Sequence, residues 1–309
     1  MVAVTETSPK PVGELVRRNK IRASRGERAF QVVNAVILLG VVALTLYPFL
    51  NLLAQSFSAQ DAIAAGRVNL VPKGFNLTTY KTVMSDSVFW ENYRNTVLYT
   101  VVATLIAMVL TTCYAYVLSK KNIKGRGFLI GVAVFTMFFN GGLIPNYVLV
   151  NDLGLRNSLW AIVLPNAISV FNLLVMKAFF ESLPSELEEA AMVDGLNTYG
   201  ILWRIVLPLS KAVLATMVLF YAVTFWNSWF SAFLYMDDNS LFPVTVYLRN
   251  LIAGATSGTN NGASGDTALQ VAANIQAVTI VLTVIPILSI YPFIQRYFVS
   301  GVMLGAVKG

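Results

Sequence analysis

The residues that could support chemistry in this sequence are few, and their absences already exclude several kinds of site. Cys113 is the single cysteine and there is no histidine. A histidine-based catalytic triad, a histidine metal cage, a CxxC pair and an intrachain disulfide are therefore excluded, and no metal site is predicted. The pattern GxxxxGK[ST], which cradles nucleotide phosphates, is also absent from the sequence, so the chain is not expected to hydrolyse ATP itself.

Carboxylates are the one chemical group that the sequence concentrates in a short segment. Between residues 181 and 208 lie five of the 15 acidic residues, namely Glu181, Glu186, Glu188, Glu189 and Asp194. If this segment folds as two short helices joined by a turn, it forms a rigid knob that could fill a groove on a soluble partner. A merely solvated loop is the alternative interpretation.

Helix signals support the first interpretation. Ser185 followed three residues later by Glu188 matches a capping box, and Gly195 is placed to end the helix that follows. A second short helix is predicted over residues 197–206, before Pro208 opens the next long apolar element.

The elements that carry this segment are predicted from where charge is missing. The chain has 309 residues, of which 56% are hydrophobic and 12% charged, whereas about 25% of residues are charged in a soluble domain. Charge is absent from residues 29–60, 95–119, 127–151, 157–176, 212–236 and 267–295. Each stretch can hold the roughly 20 residues that cross a bilayer, and in lipid only internally hydrogen-bonded helices or closed barrels are stable. The gap lengths and the lack of alternation disfavour a barrel, so we predict an all-α polytopic membrane protein with six transmembrane helices.

The predicted domain organisation follows from these spans. They cover about 30–54, 95–119, 128–150, 158–180, 209–235 and 272–296, after a basic N-terminal arm at 1–28 and within a transmembrane domain at 29–309. The acidic segment 181–208 joins spans four and five, and a segment at 236–270, rich in Gly, Ser and Asn, joins spans five and six. A plain linker is one interpretation of that second segment, and a probe that contacts a partner is the other.

The distribution of Lys and Arg predicts the orientation. Sixteen of the 22 lie on the side of the basic arm and of the loop after span two, which places that side and both termini in the cytoplasm. The formal charge of +7 is thus explained by topology and contact with anionic lipid rather than by nucleic acid.

Apart from Arg296, the last residue of the sixth span, the predicted spans contain no acidic residue, histidine or arginine. Ion-coupled carriers normally need ionisable groups within the membrane, so a secondary transporter is disfavoured but kept as the alternative, together with a non-transporting membrane scaffold. A membrane-embedded enzyme is disfavoured for the same reason.

Polar and aromatic side chains inside the spans mark a candidate path for a sugar. They are Asn140, Asn172, Tyr221, Thr224, Trp226, Asn227 and Trp229. Tyr221 and Trp229 are eight residues apart, which predicts one face of a helix. Packing between helices or an aromatic belt at the membrane interface is the alternative. The run from Asn140 to Pro145 is expected to break span three, as a hinge, a pore lining or a simple kink.

A motif in the acidic segment resembles a known family. Glu189-Ala190-Ala191, three residues, Gly195, nine residues and then Ile205-Val206-Leu207-Pro208 are similar to the EAA…G…I-LP signature of ABC importer permeases. The chain as a whole resembles the smaller permease of maltose-type carbohydrate importers, which implies a type I ABC importer permease fold. Residues 140–145 and 153–157 are similar to a subgroup that serves polysaccharide-derived oligosaccharides, including acidic ones such as alginate.

The resemblance implies a role for the acidic segment and a set of partners. In the family this segment is a coupling helix that sits in a cleft of an ATPase subunit, and the residues implied here are Glu188, Glu189, Ala190, Ala191, Asp194, Gly195, Leu207 and Pro208. Two such ATPase subunits would bind ATP and Mg²⁺, so no cofactor is expected in this chain. A second, related permease is implied as partner in a heterodimer.

The resemblance also implies contacts outside the cell and a location. A solute-binding protein is expected to contact the segment between spans five and six, at Thr256, Ser257, Gly258, Asn260 and Asn261. The C-terminal residues 305–309 are expected near the ATPase. The family implies the bacterial inner membrane, with an oligosaccharide as substrate.

Overall fold

The computed structural model describes residues 24–257 and 273–290 together with Pro292. Regular secondary structure within these residues is helical, with no strand among them. The predicted all-α class is confirmed for this part of the chain. The helices are α1 (Arg25–Ser56), α2 (Gln60–Ala64), α3 (Thr78–Ser85), α4 (Ser87–Ser119), α5 (Arg126–Phe138), α6 (Leu143–Asp152), α7 (Leu159–Val163), α8 (Val170–Glu181), α9 (Ser185–Val193), α10 (Thr198–Ile201), α11 (Leu207–Leu209), α12 (Lys211–Trp226), α13 (Trp229–Tyr235), α14 (Val244–Ser257) and α15 (Ala273–Ile290).

The described residues fall into two compact units divided after Leu50. The first consists mainly of α1, a 32-residue apolar helix. It begins after Ser24, whose hydroxyl accepts a hydrogen bond from the Glu27 N–H at 3.1 Å. A helix of this length is about 48 Å long and exceeds the hydrocarbon thickness of a bilayer. The predicted first span, 30–54, lies inside it.

The helix that contains the second predicted span begins before that span. Helix α4 starts at Ser87 rather than near residue 95. The Asp86 carboxylate caps it by accepting a hydrogen bond from the Val88 N–H at 2.9 Å. Residues 87–94, expected in the outer loop, are therefore two further helical turns, because the charges of Glu91 and Arg94 interrupt the apolar run without interrupting the helix.

Three of the predicted spans are bent pairs of helices. The pair α5 and α6 is bent by 112°, α7 and α8 by 52°, and the helical run that ends at Leu209 by 85° from α12. With α1, α4 and α15, which are each long and apolar enough to cross a membrane, the described residues supply up to six spans. This agrees with the predicted six-helix architecture.

The break in the third span falls where the sequence placed it. Gly142 has φ +90°, a conformation that side chains rarely adopt. The Asn140 side-chain oxygen accepts a hydrogen bond from the Gly142 N–H at 3.0 Å and closes the turn. Helix α6 then begins directly at Leu143. Whether this break is a hinge or a pore lining stays a prediction.

The fifth span is interrupted where one helix was expected. Helix α12 ends at Trp226 and α13 begins at Trp229. The Asn227 side-chain amide donates to the Val223 carbonyl at 2.8 Å and the Asn227 N–H bonds the same oxygen at 3.2 Å, which terminates α12. Tyr221 and Trp229 therefore lie on different helices, and the predicted common face is wrong.

Helix α4 is the centre of the second unit and packs against α8 and α12. Ala103, Ala107 and Ala115 on α4 are fully buried. Small residues at these positions let neighbouring helix backbones approach closely, as in other membrane bundles. The core therefore links the second, fourth and fifth spans into one packed body that carries the acidic segment between them.

Candidate functional site

The acidic segment folds as the predicted pair of short helices. Helix α9 ends in a turn in which the Gly195 N–H bonds the Met192 carbonyl and the Leu196 N–H bonds the Ala191 carbonyl, each at 3.0 Å. Gly195 has φ +83°. This is a Schellman motif, which needs a left-handed residue after the helix and explains the glycine.

The start of α9 differs from the prediction. Pro184 occupies the N-cap position and Ser185 is the first helical residue, with no capping hydrogen bond from a side chain. The predicted capping box between Ser185 and Glu188 is therefore wrong. Instead the Glu188 carboxylate turns inward and forms an ion pair with Lys120, at the end of α4.

The second short helix is confirmed, with one refinement. The Asn197 side-chain oxygen accepts a hydrogen bond from the Gly200 N–H at 2.8 Å and caps α10. The chain continues as a π-helical turn at Leu202–Val206 and then as α11. Pro208 has no N–H to offer the carbonyl four residues earlier, which is consistent with a widened turn at this point.

Ion pairs connect the helix ends around the acidic segment, and one of them joins α9 to α4. Besides the pair between Lys120 and Glu188, the Arg126 guanidinium at the start of α5 pairs with Glu181 at the end of α8. Glu181 also pairs with Lys177 at 2.9 Å, and Arg126 Nε donates to the Leu118 carbonyl at 2.7 Å. These contacts join the ends of α4, α5 and α8 to the segment on the predicted cytoplasmic side.

Apolar packing holds the same segment against the bundle. Ala191 of α9 is buried at 4% exposure. It belongs to a core cluster together with Ile201 of α10, Tyr116 of α4 and Met217 of α12. Leu207 packs against the edge of this cluster. The inner face of the segment is thus part of the protein core, and a displacement of the segment must displace the helices beneath it.

The outer face of the segment carries most of the predicted coupling residues. Glu189, Ala190, Asp194, Gly195 and Pro208 are exposed. The structure therefore divides the predicted set into an exposed group and a group that faces the bundle, the latter consisting of Glu188, Ala191 and Leu207.

Three apolar side chains on the outer face were missed from the sequence. Met192, Val193 and Tyr199 are 57%, 88% and 76% exposed, and we call them the docking ridge. Large apolar side chains exposed together mark a contact surface. The signal that could have found them is a run of apolar residues in an otherwise charged loop outside the membrane.

The candidate path residues surround a cavity of about 650 Å³ at the bend between α7 and α8. Asn172, Tyr221 and Thr224 line it. Asn172 is 5% exposed, and among the described residues its side-chain amide has no hydrogen-bond partner. An amide that opens on a cavity can bond water or a polar ligand that enters it.

Tyr221 has a structural role within the same wall. Its hydroxyl accepts a hydrogen bond from the Ser169 N–H at 2.9 Å and shares another with the Thr111 hydroxyl at 2.6 Å. The side chain is 2% exposed. It therefore ties the break in span four to α4, whatever passes through the cavity.

We expect Tyr221→Phe to destabilise the protein by about 1–3 kcal/mol, because two buried polar groups lose their partner. Thermal unfolding in detergent measures the change. Tyr47→Phe is the control, since Tyr47 is exposed on α1. Equal unfolding temperatures for the two variants would contradict the structural role of the Tyr221 hydroxyl.

The other candidate path residues are dispersed. Trp226 is 7% exposed and lines a second cavity of about 430 Å³, and its indole N–H has no partner among the residues that the structure describes. The Asn227 side chain bonds a carbonyl of the helix that precedes it. Asn140 lies at the turn before α6, and Trp229 is exposed at the start of α13.

The segment after α13 is partly described. Two hydrogen bonds from Ser240, one from its N–H and one from its hydroxyl, hold the pKa of Asp238 below its ordinary value. Residues 244–257 form α14, so the predicted binding-protein contacts Thr256 and Ser257 lie in a helix rather than in a flexible linker. Gly258, Asn260 and Asn261 lie outside the described residues, as do residues 1–23 of the basic arm and the C-terminal residues 305–309.

A helical bundle with a docked acidic segment between its fourth and fifth spans agrees with a known family model. The model is described as a binding-protein-dependent transport system inner membrane component, and it matches residues 87–304. This chain belongs to that family. The permease resemblance noted from the EAA-type motif is confirmed.

Similar proteins agree with this assignment. Protein LplC of Bacillus subtilis (strain 168) is 41% identical to the permease over 286 residues, 93% of this chain and 97% of the relative. The polygalacturonan/rhamnogalacturonan transport system permease protein YtcP of the same organism is 39% identical over 284 residues, 91% of this chain and 99% of the relative.

A solved structure has the same architecture. One chain in the crystal structure of a bacterial ABC transporter involved in the import of the acidic polysaccharide alginate superposes on the permease with a TM-score of 0.80 and 35% identity. The match covers 89% of this chain and 98% of that one. The chain is thus a membrane permease component of an ABC importer, and the secondary transporter and the scaffold are set aside.

Proposed function

We propose that this permease carries an oligosaccharide into the bacterial cell as one of two related permease subunits that enclose an alternating-access path. The observation that carries the proposal is the segment 185–209. Its outer face exposes Glu189 and the docking ridge, while its inner face packs against the apolar core and is ion-paired to the end of α4 through Glu188 and Lys120. A partner that moves this segment must move the spans.

Energy would come from separate subunits. The sequence contains no phosphate-binding GxxxxGK[ST] loop, which favours a pair of ATPase subunits that bind ATP and Mg²⁺ and dock on the segment 185–209. The docking ridge would fill a cleft on the ATPase, and the exposed Glu189 carboxylate would pair with a basic group there. The same arrangement requires the ridge and both termini to face the cytoplasm.

The names of the relatives and the chemistry of the path support an oligosaccharide as substrate, with acidic ones included. One related permease is named for polygalacturonan and rhamnogalacturonan, and the similar structure is named for alginate. The cavity beside α8 places the Asn172 amide and the Thr224 side chain next to aromatic rings. Amides and aromatic faces are the groups that sugar hydroxyls and pyranose C–H faces contact.

The remaining partners are proposed from the family. A related second permease would complete the path as a heterodimer, and an extracytoplasmic solute-binding protein would deliver the sugar to the segment after α13. Membrane lipid would contact the exposed apolar side chains, and no role for nucleic acid is proposed.

The proposal is tested by transport in proteoliposomes that contain the permease pair with its ATPase and binding protein. We expect uptake of an oligosaccharide that requires internal ATP and the external binding protein, with neutral and uronic-acid oligosaccharides compared in parallel. Uptake driven by a proton or sodium gradient without ATP would contradict the proposal.

A further inference from the structure

Arg249 on α14 is held by aromatic rings rather than by a carboxylate. Its guanidinium carbon lies 4.1 Å from the centre of the Phe233 ring and 5.3 Å from the centre of the Trp229 ring, both on α13. Cation–π contacts of this kind fix the plane of a guanidinium without consuming its N–H donors. Arg249 is therefore positioned but not neutralised.

The hydrogen-bonding capacity of Arg249 is almost unused among the described residues. Its one side-chain hydrogen bond among the described residues is a long one, from Nη1 to the side-chain oxygen of the adjacent Asn250 at 3.5 Å. Two other arginines predicted on the same side differ in this respect, since Arg67 pairs with Asp61 and Arg156 pairs with Asp237. Arg249 has five N–H donors in a planar fork that fits a carboxylate.

The rings that hold Arg249 are accessible. Trp229 is 38% exposed and Phe233 is 45% exposed. Trp229 also packs edge-to-face on Phe230, which fixes its orientation. A flat aromatic surface next to a free guanidinium edge offers an apolar face for a pyranose ring and a cation for its carboxylate.

The cluster formed by Arg249, Trp229 and Phe233 is positioned for the entrance of the proposed transport path. Helix α12 has 16 residues and carries the chain about 24 Å away from the segment 185–209 before α13 begins. The cluster therefore lies at the opposite end of the bundle from the proposed ATPase contact. It directly follows Asn227, whose side-chain oxygen accepts no hydrogen bond among the described residues.

We propose that Arg249, Trp229 and Phe233 form a subsite for a uronic-acid residue at the outer entrance of the path. The proposal rests on the proposed oligosaccharide transport and adds a charge selectivity for which the candidate path residues, all of them uncharged, supply no cation. The Arg249 guanidinium binds the carboxylate and the Trp229 ring stacks on the sugar. The phosphate of an anionic lipid has similar charge, and the test distinguishes it.

The experiment compares Arg249→Gln with wild type in the complete complex, reconstituted in zwitterionic phosphatidylcholine vesicles. The substrates are a uronic-acid oligosaccharide and its carboxyl-reduced neutral analogue. We expect the variant to raise KM for the acidic substrate about tenfold, with little change in kcat and no change for the neutral analogue. Arg249→Lys, which keeps the charge but not the planar fork, is expected to fall between the two.

Arg67→Gln is the matched control, because it removes a cation of the same predicted side that already has a carboxylate partner. It should transport both substrates like wild type. If Arg249→Gln impairs both substrates equally, or impairs neither, the subsite is overturned. The subsite is also overturned if the effect on the acidic substrate appears only after anionic lipid is added, since the ligand is then a headgroup.

Failure of the proposed function gives a different result. Wild-type complex that transports neither substrate with ATP would contradict oligosaccharide import altogether. Wild-type complex that transports the neutral analogue but not the acidic oligosaccharide would overturn the uronic-acid subsite alone. If the Arg249→Gln complex does not assemble, the Arg249→Lys variant decides the question. An equal loss of transport for the acidic and the neutral substrate in that variant would again contradict the subsite.

Discussion

Glu189→Arg is expected to lower ATP-driven oligosaccharide uptake by on the order of 100-fold. Glu189 is exposed on the outer face of α9 and forms no ion pair within the described residues. Its carboxylate is therefore free for a basic group of the ATPase. Losing one partner of a charge pair buried at an interface costs about 2–5 kcal/mol, and each 1.4 kcal/mol corresponds to about tenfold. Initial uptake rates in proteoliposomes measure the loss.

A matched control separates this site from a general effect of charge. Glu186→Arg reverses another exposed carboxylate, one turn earlier on the same helix. Glu186 lies in the first turn of α9, where a cation is disfavoured by the helix dipole by about 0.3–1 kcal/mol. Glu189 lies in the middle of the helix, so the control variant disfavours α9 at least as much as Glu189→Arg does. We expect Glu186→Arg to retain most uptake. If complexes with Glu189→Arg have the same subunit composition and the same uptake rate as wild type, the proposed contact between Glu189 and the ATPase is contradicted.

The spans were predictable because a long uncharged stretch without alternation is stable in lipid as a helix, in which all backbone hydrogen bonds are internal. The breaks within them were predictable only where a residue with a special backbone conformation marked the position. Gly142 supplied such a mark in span three. The end of α12 at Trp226 depends on the Asn227 side chain bonding back to its own helix, a choice that an Asn inside an apolar run does not reveal.

The acidic segment was predictable as a sequence motif, but the sequence did not show which of its side chains face outward. Spacing identified Glu188 and Glu189 together, and the structure turns the first inward and the second outward. The difference depends on Lys120, which lies 68 residues before Glu188. Contacts between residues so far apart leave no periodic signal in one sequence. For the same reason the sequence did not predict that Arg249 stacks on aromatic rings of α13.

The ion pair between Lys120 and Glu188 is the contact through which α9 would move α4. Its two side chains are 28% and 17% exposed, so the pair is partly shielded from water. Lys120 also lies 4.2 Å from the centre of the Tyr116 ring on α4, which fixes its position. The docking ridge is on the opposite face of the segment and does not depend on this pair.

Reversing one charge of this pair is therefore expected to uncouple transport rather than prevent ATPase docking. In Lys120→Glu two carboxylates meet, and in Glu188→Lys two ammonium groups meet, at a cost of about 1–3 kcal/mol. We expect the number of ATP molecules hydrolysed per sugar imported to rise at least about tenfold in either variant. Parallel assays of phosphate release and sugar uptake in the same vesicles measure this ratio.

The double variant, Lys120→Glu with Glu188→Lys, distinguishes a transmitted movement from simple damage. Exchanging the two charges restores the pair, so the ratio should return to within about threefold of wild type, with the remainder due to the lost cation–π contact with Tyr116. Lys121→Glu is the control, since Lys121 is an exposed neighbour, and it should behave like wild type. If the double variant is as uncoupled as the single ones, the pair does not carry the movement, and apolar packing around Ala191 is left as the mechanical link between α9 and the bundle.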